Sequence, residues 1–385
     1  MLNAIALVKD PAALAALERL SADSGLVSVA VHSPTLPAPF EFARMRNGCA
    51  AEFAFIELTE VDFALEMVRT LRKSFPELAI VGMGAAAALE REREIRDAGV
   101  MALLTAPISD AAFAQGVSEA FHVARAGIFE NLVAFLPGKA GSGTTTIALN
   151  VAGCLANDFE KSVALIECDL ESGILSFLLN TRPEQPIGEA LNGAAAIDNA
   201  TWRSALVSAF GVDFLLTDLS KPIRKPTWVD VYHLLRFART RYDCVLVDLP
   251  EVLDEAMLEV VLRAHATYIV CTSELPSLRL TDVRAENLRS RGVEEARIHA
   301  LLNRWKEDSV NPGNVEKALR APVAGVIPND YKEVYSATIK GRLVGEETEL
   351  GQAYTAFARK LLHIPEPEPA KGMFERFRYA VGRKS

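Results

Sequence analysis

Nine residues, Gly138-Lys139-Ala140-Gly141-Ser142-Gly143-Thr144-Thr145-Thr146, constrain this chain more than any other stretch. They follow an apolar run, Leu132 to Leu136, and open a helical pattern, Ile147 to Leu155. A strand, a glycine-rich loop and a helix in that order gather backbone N–H groups and the positive end of a helix around one anion. Glycines let such a chain turn tightly and approach its ligand. The ordinary phosphate loop, G-x-x-x-x-G-K-[ST], sets a lysine just before the hydroxyl that binds Mg²⁺. Here Thr144 stands at the lysine position, Thr145 keeps the hydroxyl and Lys139 opens the loop. The loop predicts binding of ATP or ADP with Mg²⁺, and ATP cleavage that is weak or lost.

The 385 residues predict two domains plus tails. With 50% hydrophobic and 24% charged residues, the chain has the composition of a folded α/β protein. A formal net charge of −9 argues against attraction of the whole body to nucleic acid, so DNA is not an expected partner. Cys49, Cys154, Cys168, Cys244 and Cys271 form no C-x-x-C pair and lie near no histidine, which predicts reduced thiols in a cytoplasmic protein. No signal peptide or membrane span is expected. The six histidines have no metal spacing, and the cluster Lys221, Arg224 and Lys225 reads as a solvated loop.

Residues 1–127 alternate apolar runs (Ile5–Val8, Val27–Val31, Phe53–Leu58, Ala79–Met83, Ala102–Leu104) with amphipathic segments, which predicts a doubly wound parallel sheet. Ser33 to Arg46, with three prolines, is expected to be the least regular part. A second series over 128–363 has strands expected at Leu132–Leu136, Val163–Glu167, Phe214–Thr217, Cys244–Asp248, Tyr268–Thr272, Ile298–Asn303 and Val323–Ile327. Their near-continuous apolar runs suit central parallel strands. Residues 364–370 are a stiff Pro/Glu linker, and 371–385 a basic amphipathic tail. Met373, Phe374, Phe377, Ala380 and Val381 recur at helical spacing there, which suits an anionic membrane surface.

Two strand ends add to the loop. Val245-Leu246-Val247-Asp248 sets a carboxylate where Mg²⁺ or its waters are held beside Thr145, and Glu167-Cys168-Asp169 offers a carboxylate, Asp169, to position a water. With these in place, the loop resembles the deviant phosphate loop K-G-G-x-G-K-[ST]-T of the MinD/ParA ATPases. Asp169 matches the second acid of that family's D-x-D segment, with Glu167 in place of the first. Asp248-Leu249-Pro250 matches its D-x-P segment. Asn303-Arg304 matches the N-R pair whose asparagine reads adenine, and Ile327-Pro328-Asn329-Asp330 the stretch beside the base. The resemblance implies a MinD/ParA-type P-loop NTPase fold over 128–363 and a homodimer in which Lys139 reaches the partner's phosphates. Two departures, Thr144 for the loop lysine and Glu251-Val252-Leu253 for the family's A-G or P-G, put an uncharged group and an acid on the γ-phosphate side.

The first 127 residues resemble a response-regulator receiver of flavodoxin-like fold, with Glu57 at the phosphorylated aspartate, Val8 and Lys9 at the acidic pair, and Ala106 at the lysine. The resemblance implies a pseudo-receiver that docks or dimerises and is not phosphorylated. A receiver-like domain before a MinD-like ATPase is similar to the CpaE/TadZ family of Flp/Tad pilus assembly proteins. That implies a nucleotide-binding scaffold at the cell pole or inner membrane, partnered by the pilus and secretion machinery. The alternative is an active MinD/ParA-type ATPase that positions a septum or partitions DNA or other cargo.

Overall fold

The computed structural model describes residues 1–125, 127–307 and 311–364. The Pro/Glu linker, beyond Ile364, and the tail at 371–385 lie outside the described residues. The chain forms two compact units: Met1–Ile128 with Leu191–Ile197 and Lys225–Leu234, and Phe129–Ala190 with Asp198–Arg224 and the chain from Leu235 onward.

In the first unit, strands β1 (Leu2–Leu7), β2 (Val27–Ser33), β3 (Phe53–Glu57), β4 (Ala79–Gly84) and β5 (Ala102–Thr105) form a 5-stranded sheet in the order β2-β1-β3-β4-β5. All its pairs are parallel. Helices α1 (Pro11–Ser24), α2 (Pro39–Cys49), α3 (Val61–Ser74), α4 (Glu92–Ala98) and α5 (Asp110–Ala124) connect and cover it. The alternation along β3 explains the two layers. Ala54 and Ile56 pack with Leu65 and Val68 of α3, while Phe53 and Phe55 stack on Phe121 and Phe113 of α5 at 6.1 and 5.9 Å. The expectation of irregular chain over Ser33 to Arg46 is corrected. Helix α2 begins at Pro39, where the missing N–H is no loss, and Glu41 accepts from the Ala38 N–H at 3.0 Å.

The second unit holds an 8-stranded sheet: β6 (Phe129–Pro137), β7 (Val163–Glu167), β8 (Leu206–Ala209), β9 (Val212–Leu215), β10 (Cys244–Asp248), β11 (Ala264–Thr272), β12 (Ile298–Trp305) and β13 (Val323–Pro328). Their order is β13-β12-β11-β6-β10-β7-β9-β8. Seven of these strands run parallel, and β8 pairs with β9 antiparallel, an edge strand absent from the sequence expectation. The turn Phe210-Gly211, both at positive φ, makes that hairpin. The predicted strand at Phe214–Thr217 lies at Val212–Leu215, which leaves Thr217 in the loop beyond it.

Register decides what this sheet can do. Asp248 pairs with Phe135 on β6 and with Glu167 on β7, Val270 pairs with Pro137, and Thr272 pairs with Asn303. All the chemistry-bearing motifs of the second series therefore end at one carboxyl edge of one sheet, the place where open α/β sheets gather ligands. Helix α6 (Thr144–Asn157), which follows the loop, buries Ile147, Ala148, Val151, Ala152 and Leu155 completely. Its Asn150 donates to Thr146 O and accepts from Val344 N, both at 2.8 Å, which fixes the helix behind the loop.

Candidate nucleotide-binding site

The loop between β6 and α6 is held from three sides. At its start, Gly138 N donates to Val270 O at 2.8 Å, and a Cβ on Gly138 would fall 2.2 Å from Thr281 Oγ1. At its end, Gly143 caps α6 at φ 90°, and a Cβ there would meet Asn303 Nδ2 at 2.4 Å. A side chain at either glycine collides with the support for the loop, so glycine is required at both. Between them Gly141 also takes a positive φ, 76°. Ser142 N donates to Lys139 O at 3.1 Å.

Thr145 Oγ1 donates to Asp248 Oδ2 at 2.7 Å. Asp248 is buried, and its Oδ1 has no hydrogen-bond partner. Burial pushes its pKa up to about 7; the Thr145 hydrogen bond opposes this, while the charges of Glu167 and Asp169 add to it. A buried carboxylate oxygen without a donor, one bond from the first-turn hydroxyl of the loop helix, suits a hydrated divalent cation. The residues present fit Mg²⁺, which Thr145 would ligate and Asp248 would hold through water. Among the described residues no cluster of three or more His, Cys, Asp or Glu forms a separate metal site.

Asp248 also makes a pH prediction. Its carboxyl is protonated up to about pH 7 in the folded chain, against about 3.8 as the reference value. Across that interval the folded state binds the extra proton, so stability falls as pH rises and levels off above it. Glu167, also raised by burial, acts in the same direction, and His299, lowered by burial, opposes it. Between pH 5 and 8 the nucleotide-free protein loses about 2–3 kcal/mol through Asp248 alone. Comparing urea denaturation at both pH values, Asp248→Asn removes that part of the slope; equal slopes would refute the assignment.

The other sequence-derived residues are placed as follows. Thr144 is buried, with Oγ1 3.1 Å from Ser142 Oγ. Lys139 is half-buried, and its ammonium pairs with no carboxylate among the described residues. Asp169 accepts from Ser172 N at 2.9 Å and Ser172 Oγ at 2.7 Å, so both its oxygens serve the turn after β7. Asn303 donates to Ser142 O at 2.7 Å and accepts from Arg304 N at 2.9 Å, which ties β12 to the loop. Arg304 is exposed at φ 53°, and Pro328 closes β13 opposite Trp305. Thr146 uses its carbonyl, not its hydroxyl, to hold Asn150.

Three features carry roles that sequence reasoning missed. Glu167 is fully buried and accepts from Leu175 N, Thr217 N and Thr217 Oγ1 at 2.7, 2.8 and 2.5 Å. It knots together the two loops beside β7. Glu251 does not face the loop as a free acid: Oε2 accepts from Ala140 N at 3.1 Å and Oε1 from Arg284 at 2.9 Å. Arg284 lies on the helix Leu275–Ser290, among several arginines, with no spacing signal to single it out.

No protein-family model matches the chain. The septum site-determining protein MinD of Helicobacter pylori is 27% identical over 248 residues, 60% of this chain and 90% of that protein. A ParA-family ATPase from Chlorobium tepidum TLS has the same fold at a TM-score of 0.55, with 21% identity over 60% of this chain and 98% of that one. MinD from Pyrococcus horikoshii OT3, solved in complex with Mg-ADP, has a TM-score of 0.51 and 20% identity over 60% of this chain and 95% of its own. The relative makes residues of the second unit similar in sequence to a MinD-type protein, and the two solved structures show that they share its fold.

Proposed function

We propose that this chain is a nucleotide-dependent positioning protein of the MinD/ParA type, acting in septum placement or in partition of DNA or other cargo. It binds ATP or ADP with Mg²⁺ at the loop 138–146 and pairs with a second copy when ATP is bound. The observation that carries the reading is the Thr145–Asp248 contact at the mouth of a loop in which Gly138 and Gly143 leave no room for a side chain. Bound Mg²⁺ would screen the phosphate charges. The chain's own residues do the rest: the amides of 143–145 at the α6 N-terminus hold the anion, and Asp248 orients the cation side. Asn303 fixes the loop's shape through Ser142 O, with Arg304 and Pro328 at the edge where the base would lie. Lys139, which pairs with no carboxylate among the described residues, is placed to meet a partner's phosphates, and Asp169 is the candidate water-positioning acid. Val252 and Leu275, 77% and 79% exposed at the same sheet edge, favour pairing through that edge.

The experiment is light scattering of the purified protein with MgATP and MgADP. Doubling of mass with MgATP alone, lost in Lys139→Ala, is the expected result. A monomer under both conditions, or an unchanged dimer in the variant, counts against the reading.

A second reading, a scaffold and localisation factor for Flp/Tad pilus assembly of the CpaE/TadZ kind, is favoured by the first unit. Its strand order is that of the flavodoxin-like fold that receivers share. Glu57, at the receiver's phosphorylation position, accepts from Lys9 N, Asp10 N and Thr59 Oγ1 at 2.5, 3.0 and 2.5 Å. Burial opposes its ionisation, but these hydrogen bonds outweigh it and hold its carboxyl below the ordinary range. A glutamate whose two carboxylate oxygens are already bonded within the chain suits a pseudo-receiver used as a docking surface for pilus components, with anchoring of the tail at a membrane surface. The two readings differ in turnover. A positioning ATPase releases phosphate steadily, whereas a scaffold stays paired in MgATP with negligible release.

A further inference from the structure

The loop lacks its usual cation at 144, yet a guanidinium is bound to its first residue. Arg284 Nε donates to Gly138 O at 2.9 Å, NH2 donates to Glu251 Oε1 at 2.9 Å, and NH1 donates to Glu251 O. The side chain is 19% exposed, and that of Glu251 35%. The second carboxylate oxygen of Glu251 accepts from Ala140 N, one of the amides a phosphate loop offers to its ligand. An internal anion therefore sits on a loop amide and on a cation that touches Gly138.

We propose that Arg284 is the working cation of this phosphate loop and that Glu251 is its internal competitor, released when a polyphosphate takes its place. This rests on the nucleotide reading above. Three of the five guanidinium donors are engaged in the contacts just named, and the planar fork that grips Glu251 is equally suited to two phosphate oxygens. The exchange needs no covalent step: Arg284 and the Ala140 N–H change partners from a carboxylate to a phosphate, and both acceptors are anionic. A protein whose binding-competent state excludes the Glu251 contact pays for that contact in apparent affinity.

The signs of two substitutions test this. Glu251→Gln removes the competing charge and is expected to tighten MgATP binding about tenfold. Arg284→Ala removes the cation and is expected to weaken it roughly 10- to 100-fold. Arg279→Ala, on the same helix, paired with Asp282 and 73% exposed, serves as control and leaves the Kd unchanged. Binding is read by titration calorimetry on the full chain, with the Tm of each nucleotide-free variant alongside. If Arg284→Ala does not fold, Arg284→Lys is read instead, with a severalfold weakening expected. A merely structural ion pair would shift both variants in the same direction or leave both unmoved, and either result overturns the proposal while leaving the nucleotide reading intact. Wild type that binds no MgATP overturns both.

Discussion

Glu167→Leu is expected to lower the unfolding free energy by about 3–5 kcal/mol. The substitution removes one acceptor group and strands three buried donors, Leu175 N, Thr217 N and Thr217 Oγ1. Each unsatisfied donor costs about 1–3 kcal/mol, partly offset because a buried carboxylate no longer has to be desolvated. That offset is real here, since burial raises the Glu167 pKa despite the bonds it accepts. Glu167→Gln keeps an acceptor oxygen and the side-chain length, and should cost roughly half as much. Urea unfolding at pH 7 reads both. A loss below about 1 kcal/mol for the leucine variant would mean that the loops after β7 and β9 rearrange freely, contrary to the knot described.

The largest functional gain is expected from Thr144→Lys. Phosphate release should rise about a hundredfold or more, because the substitution returns a positive charge to the first residue of α6, under the anion. Helical side chains lean toward the helix N-terminus, so a lysine stem at 144 is directed at the loop mouth and away from the core. The one hydroxyl it removes, Thr144 Oγ1, contacts Ser142 Oγ at 3.1 Å, so the structural cost is the loss of that single hydrogen bond. The check is a steady-state phosphate assay of wild type and variant at saturating MgATP. Equal rates would show that the missing charge at position 144 does not limit turnover, and would turn attention to Glu251.

Most of this architecture could be read from the chain because its strands are buried on both faces. Runs such as Val163–Glu167 and Cys244–Asp248 are continuous apolar segments ending in an acid, and the structure gives them those same bounds. The loop was legible for a related reason: its glycines and hydroxyls are local in sequence, and so is the helix they open. What escaped depends on long-range partners. Helix α2 was hidden by three prolines, one of which starts the helix. Strand β8 is short and mostly half-buried, pairs with β9 at the sheet edge and packs only Val207 and Ala209 on the core, so its sequence pattern is weak. Glu167 looks like a substituted site acid in the sequence, and only Thr217, 50 residues away, reveals it as a structural acceptor. Glu251 looks like an acid placed against an anion until Arg284, 33 residues on, is seen to hold it.

The central claim is that Thr145 and Asp248 hold the cation of a Mg²⁺-nucleotide at this loop. Titration calorimetry with ATP, run on wild type and Asp248→Asn in excess Mg²⁺ and again in EDTA, tests it most directly. Asparagine keeps an acceptor for the Thr145 hydroxyl, so the loop should stay folded while the charge is lost. The account predicts that wild type binds MgATP about a hundredfold more tightly than metal-free ATP, and that Asp248→Asn binds both alike at the weaker level. Equal affinities for wild type and variant in Mg²⁺ would contradict it.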